Sequence, residues 1–451
     1  MRPSRRLHCF LHLATGGLSL GGALAVHLAP HPALHWQLLQ PVLLVIGLLL
    51  LALAALPRPK ILTRLSFDLC LALLGLTVAV ALIEGGARLV GFDFRGLDAA
   101  RRRLPPFYQK PMVPTGEAFF RRPGPFAWRG QVIRTCLETL RWPADDYRNE
   151  PVITVRYDAF GFRNEPRPAE WEVAVAGDSF TELGYLPYEQ LFTTRLGEHT
   201  GWRVLNLGVS HTGPLTHLHY LETYGLSPAT RHTIIVFYEG NDLDDLDRES
   251  HALAIARAQG RYEPEDFRPQ PSFLGALADW IGRPDPPSPP ETLFTDALWS
   301  GPAGEVALTF ENTAPASVSL DPGTIEAFEQ FLTRYAELGR ARAVRVWLAY
   351  MPCKARVLHG QARLTAEGEA NLSGWKPTDL PSFVARRCTD AGVGFLDLTP
   401  ALVATLVEDQ QLPYNPRYDS HLNAHGAEVV SRALAAALAP AHSHSPARET
   451  R

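Results

Sequence analysis

Four short pieces of the chain carry residue types suited to nucleophilic chemistry. In VAVAGDSFTELGY, Val173–Tyr185, a brief apolar run stops at a glycine, and Asp178 and Ser179 follow at once. NLGVSHTG, Asn206–Gly213, and VFYEGND, which ends in Gly240, Asn241 and Asp242, follow two further apolar runs. YDSHLNAHGAEVV, near the C-terminus, contains Asp419 and His421. A serine hydroxyl is a poor nucleophile unless a base takes its proton as it attacks. Imidazole titrates near neutral pH, so His421 is the candidate base. Asp419 would accept the other ring N–H, fix the tautomer and stabilise the imidazolium. Plainer readings stand beside these. Ser179 is also placed to cap a helix, and Asn241 to bridge a turn. His425 competes with His421 but has no acidic residue two or three positions before it. Asp178 reads as a tie across the strand-to-helix turn. Cys353 and Lys354, in MPCKARV, fall at the same end of the sheet; no activating base for Cys353 is visible, so it reads as structural.

The elements that must position these groups are legible as apolar runs. Glu172–Ala176, Arg203–Leu207, Thr233–Tyr238, Val344–Tyr350 and Val393–Leu398 alternate with helix-length stretches. Short apolar runs spaced this way predict a parallel sheet covered on both faces. Before the fourth run, Ile325, Phe328, Phe331, Leu332, Tyr335 and Leu338 share one helix face. The expected fold is therefore α/β, a three-layer α/β/α sandwich with a flavodoxin-like parallel sheet of about five strands. Residues 250–322, with the Pro-rich stretch Pro264–Pro290, read as an insertion over one end of the sheet. GNDLDDLDRES reads as a solvated helix start, since its spacing does not fit a calcium loop. His211, His217 and His219 lack the partners of a metal cluster, and no cofactor is called for.

Charge is unevenly spread along the 451 residues. The net charge of −4 gives no electrostatic case for nucleic acid. From Leu7 to Pro57 there is no Asp, Glu, Lys or Arg. A bilayer core takes about 20 apolar residues per helix, so this run reads as two membrane spans, Cys9–Leu28 and Leu38–Leu56. Leu65–Ile83 reads as a third. The first span, which holds His12, His27 and two glycine pairs, is the weakest, and two spans is the alternative. Arg2, Arg5 and Arg6 before it, and the basic residues Arg58, Lys60 and Arg64, place the N-terminus in the cytoplasm and residues after about Gly85 outside. The domain reading is residues 1–85 membrane region, 86–170 juxtamembrane segment, 171–440 α/β domain and 441–451 disordered tail.

Taken in order, the four pieces resemble the SGNH/GDSL hydrolase family, whose catalytic residues fall in four such blocks. The resemblance extends from about Asn149 to Leu438 and takes in YDAFGFRN before the first strand and LDLTPAL before the last block. It is greatest to membrane-anchored bacterial members similar to proteins that acetylate exported polysaccharides. It implies Ser179, Asp419 and His421 as the triad. The oxyanion donors it implies are the Ser179 N–H, the Asn241 side chain and a block-two N–H, at His211. Two departures are visible. The family usually spaces its Asp and His by three residues, whereas Asp419 and His421 are two apart, as in the polysaccharide-acetylating relatives. His211 stands where the family usually has glycine; if the donor needs a conformation only glycine tolerates, Gly208 or Gly213 must serve instead.

The expected activity is a serine esterase or O-acyltransferase acting on short acyl, above all acetyl, esters of cell-surface carbohydrate. It would sit in the cytoplasmic membrane with its catalytic domain outside. A transferase so placed would need a membrane partner to supply the acyl group. The alternatives are a non-catalytic glycan-binding or assembly protein of the same fold, and a lipase-like esterase.

Overall fold

The computed structural model describes residues 13, 15, 60–90, 112–139, 142–260, 273, 277 and 294–439. The chain divides into two compact units: residues 1–99 with 268–288, and residues 100–267 with 289–451. In the first unit, Lys60–Leu89 is a 30-residue helix that contains the third candidate span. Leu71, Leu76, Val78 and Leu82 on it are each more than half exposed. Among the described residues no helix is long and apolar enough to cross a membrane; several side chains of Lys60–Leu89 fall outside that set. Apart from Leu13 and Thr15, the other two candidate spans lie outside the described residues, as does the 441–451 tail.

The second unit is built on five parallel strands: β1 (Val173–Gly177), β2 (Val204–Gly208), β3 (His232–Tyr238), β4 (Arg345–Met351) and β5 (Gly394–Asp397). Their order is β5-β4-β3-β1-β2. Each expected run matches its strand to within one residue at either end. Every residue of β1 and β3 is buried. A strand covered on both faces reads as a continuous apolar run, which is why these were legible. Seven helices matter here: α1 (Ser179–Glu182), α2 (Phe192–Thr200), α3 (Pro214–Tyr224), α4 (Asp242–Gln259), α5 (Pro322–Arg342), α6 (Leu380–Ala391) and α7 (Ala424–Leu438). Alternate strand residues divide the core. Val173, Val175, Ile234 and Val236 pack with α2 and α7, while Ala174, Ala176, Ile235 and Phe237 pack with α3, α5 and α6. On α5 the expected face is the buried one, with Phe328, Phe331, Leu332 and Tyr335 fully enclosed.

The chain leaves β1 for β2 on one side and returns to place β3 on the other. The crevice beyond the carboxyl ends of β1 and β3 is therefore the switch point where such sheets bind ligands.

Within the 250–322 segment α4 extends to Gln259, and Ala297–Gly301 and Gly304–Leu308 form an antiparallel hairpin flanked by Arg363–Leu364. One expectation is corrected: the acidic run is not a solvated helix start. Asp242, Asp245 and Glu249 fall on one face of α4 and are buried, because that face turns inward beneath the strand ends.

Residues 112–170 belong to the same compact unit as the sheet. Phe126–Gly130 and Ile153–Tyr157 pair antiparallel, with the helix Val132–Thr139 between them. The YDAFGFRN stretch is a turn whose last two residues reach the loop after α1 and strand β2. The buried Arg163 guanidinium donates to the carbonyls of Leu183 and Leu186 at 2.6 and 2.9 Å. Asn164 exchanges hydrogen bonds with the backbone of Asn206.

Candidate functional site

Ser179 opens α1 immediately beyond β1. Asp178 caps that helix, its Oδ1 accepting the Phe180 N–H at 2.9 Å. The turn is tight: a Cβ on Gly208, at the end of neighbouring β2, would lie 2.4 Å from the Glu182 nitrogen. Only glycine lets the two backbones approach so closely. Ser179 thus sits on a compact elbow with its hydroxyl turned toward the last block.

That block is a loop clasped at both ends. The Asn415 N–H donates to the His421 carbonyl at 2.9 Å, and Asn423 caps α7. Between them, His421 Nε2 lies 2.7 Å from Ser179 Oγ, and its Nδ1 lies 2.5 Å from Asp419 Oδ1. The same carboxylate oxygen accepts the His421 backbone N–H at 2.8 Å. The rings of Phe180 and Tyr185 flank the imidazole, and the Tyr185 hydroxyl donates to the Leu422 carbonyl. His425 faces Asp409 instead, at 3.3 Å. Burial alone would lower the His421 pKa; the Asp419 charge and hydrogen bond, with Asp178 and Glu311 behind them, raise it on balance. Burial opposes ionisation of Asp419, but its contacts with His421 and the charge of Lys354 hold its pKa low.

Lys354, read from the sequence only as lying at the sheet's active end, anchors this loop from below. Its buried ammonium donates to the carbonyls of Asn415 at 2.8 Å and Asp419 at 2.9 Å. Burial lowers its pKa to about 8 against the pull of Glu311, Asp419 and Asp296. Cys353 is fully buried, and burial next to Glu239 pushes its thiol well up, as befits a structural residue.

Block two is the loop after β2. His211 adopts φ +66°, the left-handed region that glycine favours and that histidine visits more readily than most residues. The two glycines weighed against it are otherwise engaged. The Gly208 N–H donates to Asn206 Oδ1 at 2.8 Å, and the Gly213 N–H to Glu249 Oε1 at 2.7 Å. The loop is gripped by Glu182, which accepts the Ser210 N–H at 2.6 Å and also its hydroxyl. Glu182 is itself buried against Arg122 and the Tyr157 hydroxyl, and those contacts lower its pKa although burial would raise it. His217 is buried in α3 beside Thr212, and His219 stacks on Phe119, so neither joins His211.

Asn241 stands at the N-cap position of α4, beyond the end of β3; its side chain makes no capping bond, and its Nδ2 donates to Asp245 Oδ2 at 3.1 Å. Its side chain also bonds Asp178, whose pKa burial raises to about 6 despite the Phe180 N–H and His421. Burial likewise raises Asp245 to about 7, against the attraction of Arg248.

The expected site residues other than Asn241 open on a cavity of about 190 Å³. Ser179, Ser210, His211, Asp419 and His421 form its polar side. Val132, Ile133, Cys136, Leu137 and Trp142 form an apolar wall, and Glu311 and Tyr418 contribute to the rim. Sequence reading missed the wall and Glu311. The wall comes from a segment read as juxtamembrane, and Glu311 from the end of the insertion, where its Oε2 accepts the Ser420 hydroxyl at 2.7 Å. A separate hollow of about 470 Å³ opens by the amino-terminal ends of β4 and β5, between Ala336 and Gly394, and contains no serine, cysteine, histidine or carboxylate.

Residues 311–451 match the family model described as SGNH hydrolase-like domain, acetyltransferase AlgX. No curated protein matches the chain. Among solved structures, an acetyl xylan esterase, AlAXEase, is similar at 13% identity over 59% of this chain and 99% of its own, with a TM-score of 0.31. A putative lipolytic protein of the G-D-S-L family from Desulfitobacterium hafniense DCB-2 gives 13% identity over 59% and 99%, with a TM-score of 0.30. Phospholipase A1 from Streptomyces albidoflavus NA297 gives 13% identity over the same shares, also at 0.30. Likenesses at this level establish neither activity nor substrate. Over residues 311–451 the chain is thus similar to the SGNH hydrolase-like domain of acetyltransferase AlgX, and the matched stretch contains Glu311, Asp419 and His421.

Proposed function

We propose that the protein is a membrane-anchored serine esterase or O-acyltransferase acting, outside the cytoplasmic membrane, on short acyl esters of cell-surface carbohydrate. The observation that carries this reading is the continuous path Ser179 Oγ to His421 Nε2, at 2.7 Å, and His421 Nδ1 to Asp419 Oδ1, at 2.5 Å.

In the proposed reaction His421 takes the proton of Ser179 as its oxygen attacks the ester carbonyl. The tetrahedral oxyanion would be met by the Ser179 N–H and the His211 N–H, each worth a few kcal/mol, and by the Asn241 amide once it exchanges its bonds to Asp245 and Asp178 for the oxyanion. The alcohol leaves with the proton from His421, and the acyl-serine is then attacked by water or by a sugar hydroxyl. A cavity of about 190 Å³ favours a short acyl group, since pockets that enclose drug-sized ligands run to about 300–1,000 Å³. The charge-free run Leu7–Pro57 and the exposed leucines of Lys60–Leu89 support the anchor. A transferase so placed would receive its acyl group from a membrane partner, because acetyl-CoA is confined to the cytoplasm.

The test joins two measurements. Fluorophosphonate labelling and p-nitrophenyl acetate turnover should both be lost in Ser179→Ala. Glycan O-acetyl content in a deletion strain should rise for an esterase and fall for a transferase. A folded wild-type protein that neither labels nor turns over would instead be a non-catalytic glycan-binding or assembly protein. Cleavage of long-chain lipid esters with unchanged glycan acetylation would mark a lipase.

A further inference from the structure

The chemistry proposed above leaves open which sugar presents the ester, and the rim of the cavity bears on that choice. The cavity is too small to enclose a sugar ring beside the acyl group, so the alcohol half of the ester must lie across the rim. There the structure presents aromatic rings. Trp142 lines the cavity and is 38% exposed. Its ring centroid is 5.8 Å from that of Tyr418, the two planes inclined at 54°, and Tyr418 is in turn 6.2 Å from Tyr147.

Tyr418 is held there at a conformational cost. It adopts φ +60° immediately before Asp419, a left-handed backbone that is unusual for a bulky aromatic residue. Such conformations persist where the surroundings impose them. Here the Tyr418 N–H donates to Thr309 Oγ1 at 2.9 Å, the Thr309 N–H donates to the Pro416 carbonyl at 3.0 Å, and the Tyr147 hydroxyl bonds the Arg417 carbonyl. One backbone twist sets the Tyr418 ring beside Trp142 while Asp419 faces His421.

The charges at the rim point to the kind of ring that would stack there. Among the described residues, the ionisable groups lining the cavity include the carboxyls of Glu311 and Asp419 but no lysine or arginine. Arg417 and Arg248, on adjoining segments, are paired with Asp146 at 2.8 Å and Asp245 at 2.7 Å. A sugar carboxylate at this rim would face the carboxyls of Glu311 and Asp419, with no described lysine or arginine lining the cavity to meet it.

We propose that Trp142, flanked by the inclined ring of Tyr418, is a stacking platform for an uncharged pyranose ring, which places its acyl ester against Ser179. The rim therefore selects acylated neutral polysaccharide over acylated polyuronate. This rests on the ester-chemistry reading above.

The test uses the full chain in detergent and three substrates: p-nitrophenyl acetate, acetylated xylo-oligosaccharide and acetylated oligomannuronate. The wild type should show a kcat/KM about tenfold or more higher on the neutral than on the anionic oligosaccharide. Trp142→Ala should lower kcat/KM on the neutral oligosaccharide about tenfold more than on p-nitrophenyl acetate, chiefly through KM, and Trp142→Tyr should recover most of that loss. Equal or better turnover of the oligomannuronate would overturn the proposal. So would a Trp142→Ala protein that loses the same factor on the neutral oligosaccharide and on p-nitrophenyl acetate. A wild type active on p-nitrophenyl acetate but on neither oligosaccharide would overturn the platform and leave the serine chemistry standing. Inactivity on all three esters would overturn both.

Discussion

One carboxylate oxygen of Asp419 accepts two hydrogen bonds from His421, from the backbone N–H at 2.8 Å and from ring Nδ1 at 2.5 Å. The two-residue spacing makes this possible: the side chain folds back over its own loop and grips the histidine at main chain and ring together. Asp419 is therefore an orienting group twice over.

Substitutions should follow that order of roles. Ser179→Ala and His421→Ala should each cost about 10⁶-fold in kcat, since triad members act as a unit, while Asp419→Asn should cost about 10⁴-fold. Steady-state kinetics on p-nitrophenyl acetate reads all three. A Ser179→Ala protein with undiminished turnover would remove the serine from the mechanism.

The pH dependence should carry the mark of the same pair. Burial pulls the His421 pKa down, but Asp419, Asp178 and Glu311 outweigh it and raise the pKa above the ordinary 6.5. A general base works only when neutral, so activity should climb with pH through a midpoint above 6.5 and fall away on acidification. Removing the Asp419 charge in Asp419→Asn should move that midpoint to lower pH. A kcat/KM profile with its wild-type midpoint below 6.5 would contradict the charge balance described for this site.

Lys354 offers a test of loop anchoring. In Lys354→Met the Asn415 and Asp419 carbonyls lose their donor in a buried place, at about 1–3 kcal/mol for each group left unpaired. Urea denaturation should show the loss, and kcat should fall because the loop also carries His421. A variant of unchanged stability and rate would show that the clasp at Asn415–His421 suffices alone.

His211 can be probed through its backbone. A left-handed residue other than glycine costs roughly 1–2 kcal/mol, so His211→Gly should raise the thermal midpoint. His211→Ile, β-branched in the same conformation, should lower the midpoint and slow fluorophosphonate labelling relative to His211→Gly. Labelling that is faster in the isoleucine variant would argue against a backbone donor at this position.

Arg122 and Glu182 form a buried pair with almost no exposure. Arg122→Ala leaves Glu182 charged and unpaired in the interior, a change that costs about 3–5 kcal/mol in comparable pairs. Because Glu182 also holds Ser210, the variant should loosen the loop that carries His211. Thermal unfolding measures the first effect, and amide exchange at 209–213 measures the second.

The strands were legible because residues such as those of β3 are apolar without alternation, a pattern imposed by cover on both faces. Ser179, His421 and Asp419 were legible because their types are scarce in combination and each follows a strand or opens a helix. Asp242, Asp245 and Glu249 were misread, although their spacing already set them on one face of a helix. Acidic residues suggested solvent, whereas the face turns under the site. Arg122, Glu311 and Trp142 left no comparable trace. Their places depend on contacts with Glu182, Ser420 and Tyr418, each distant in sequence, and no local pattern encodes such partners.

The apolar wall of the cavity has its own origin in the chain. Val132–Thr139 and Trp142 lie in a ribbon before β1, apart from every strand-end loop that carries Ser179, His211, Asn241, Asp419 or His421. Within it, the wall side chains Val132, Ile133, Cys136 and Leu137 are separate from Tyr147 and Tyr157, whose hydroxyls bond the Arg417 carbonyl and Glu182 and so brace the loops of the reacting groups. Mutational drift between neighbouring lineages should therefore collect in the four wall positions, where it would retune the choice of substrate, and spare the two tyrosines. The same arrangement gives an engineer a handle: a library confined to the wall positions would vary specificity while the bracing contacts stay in place.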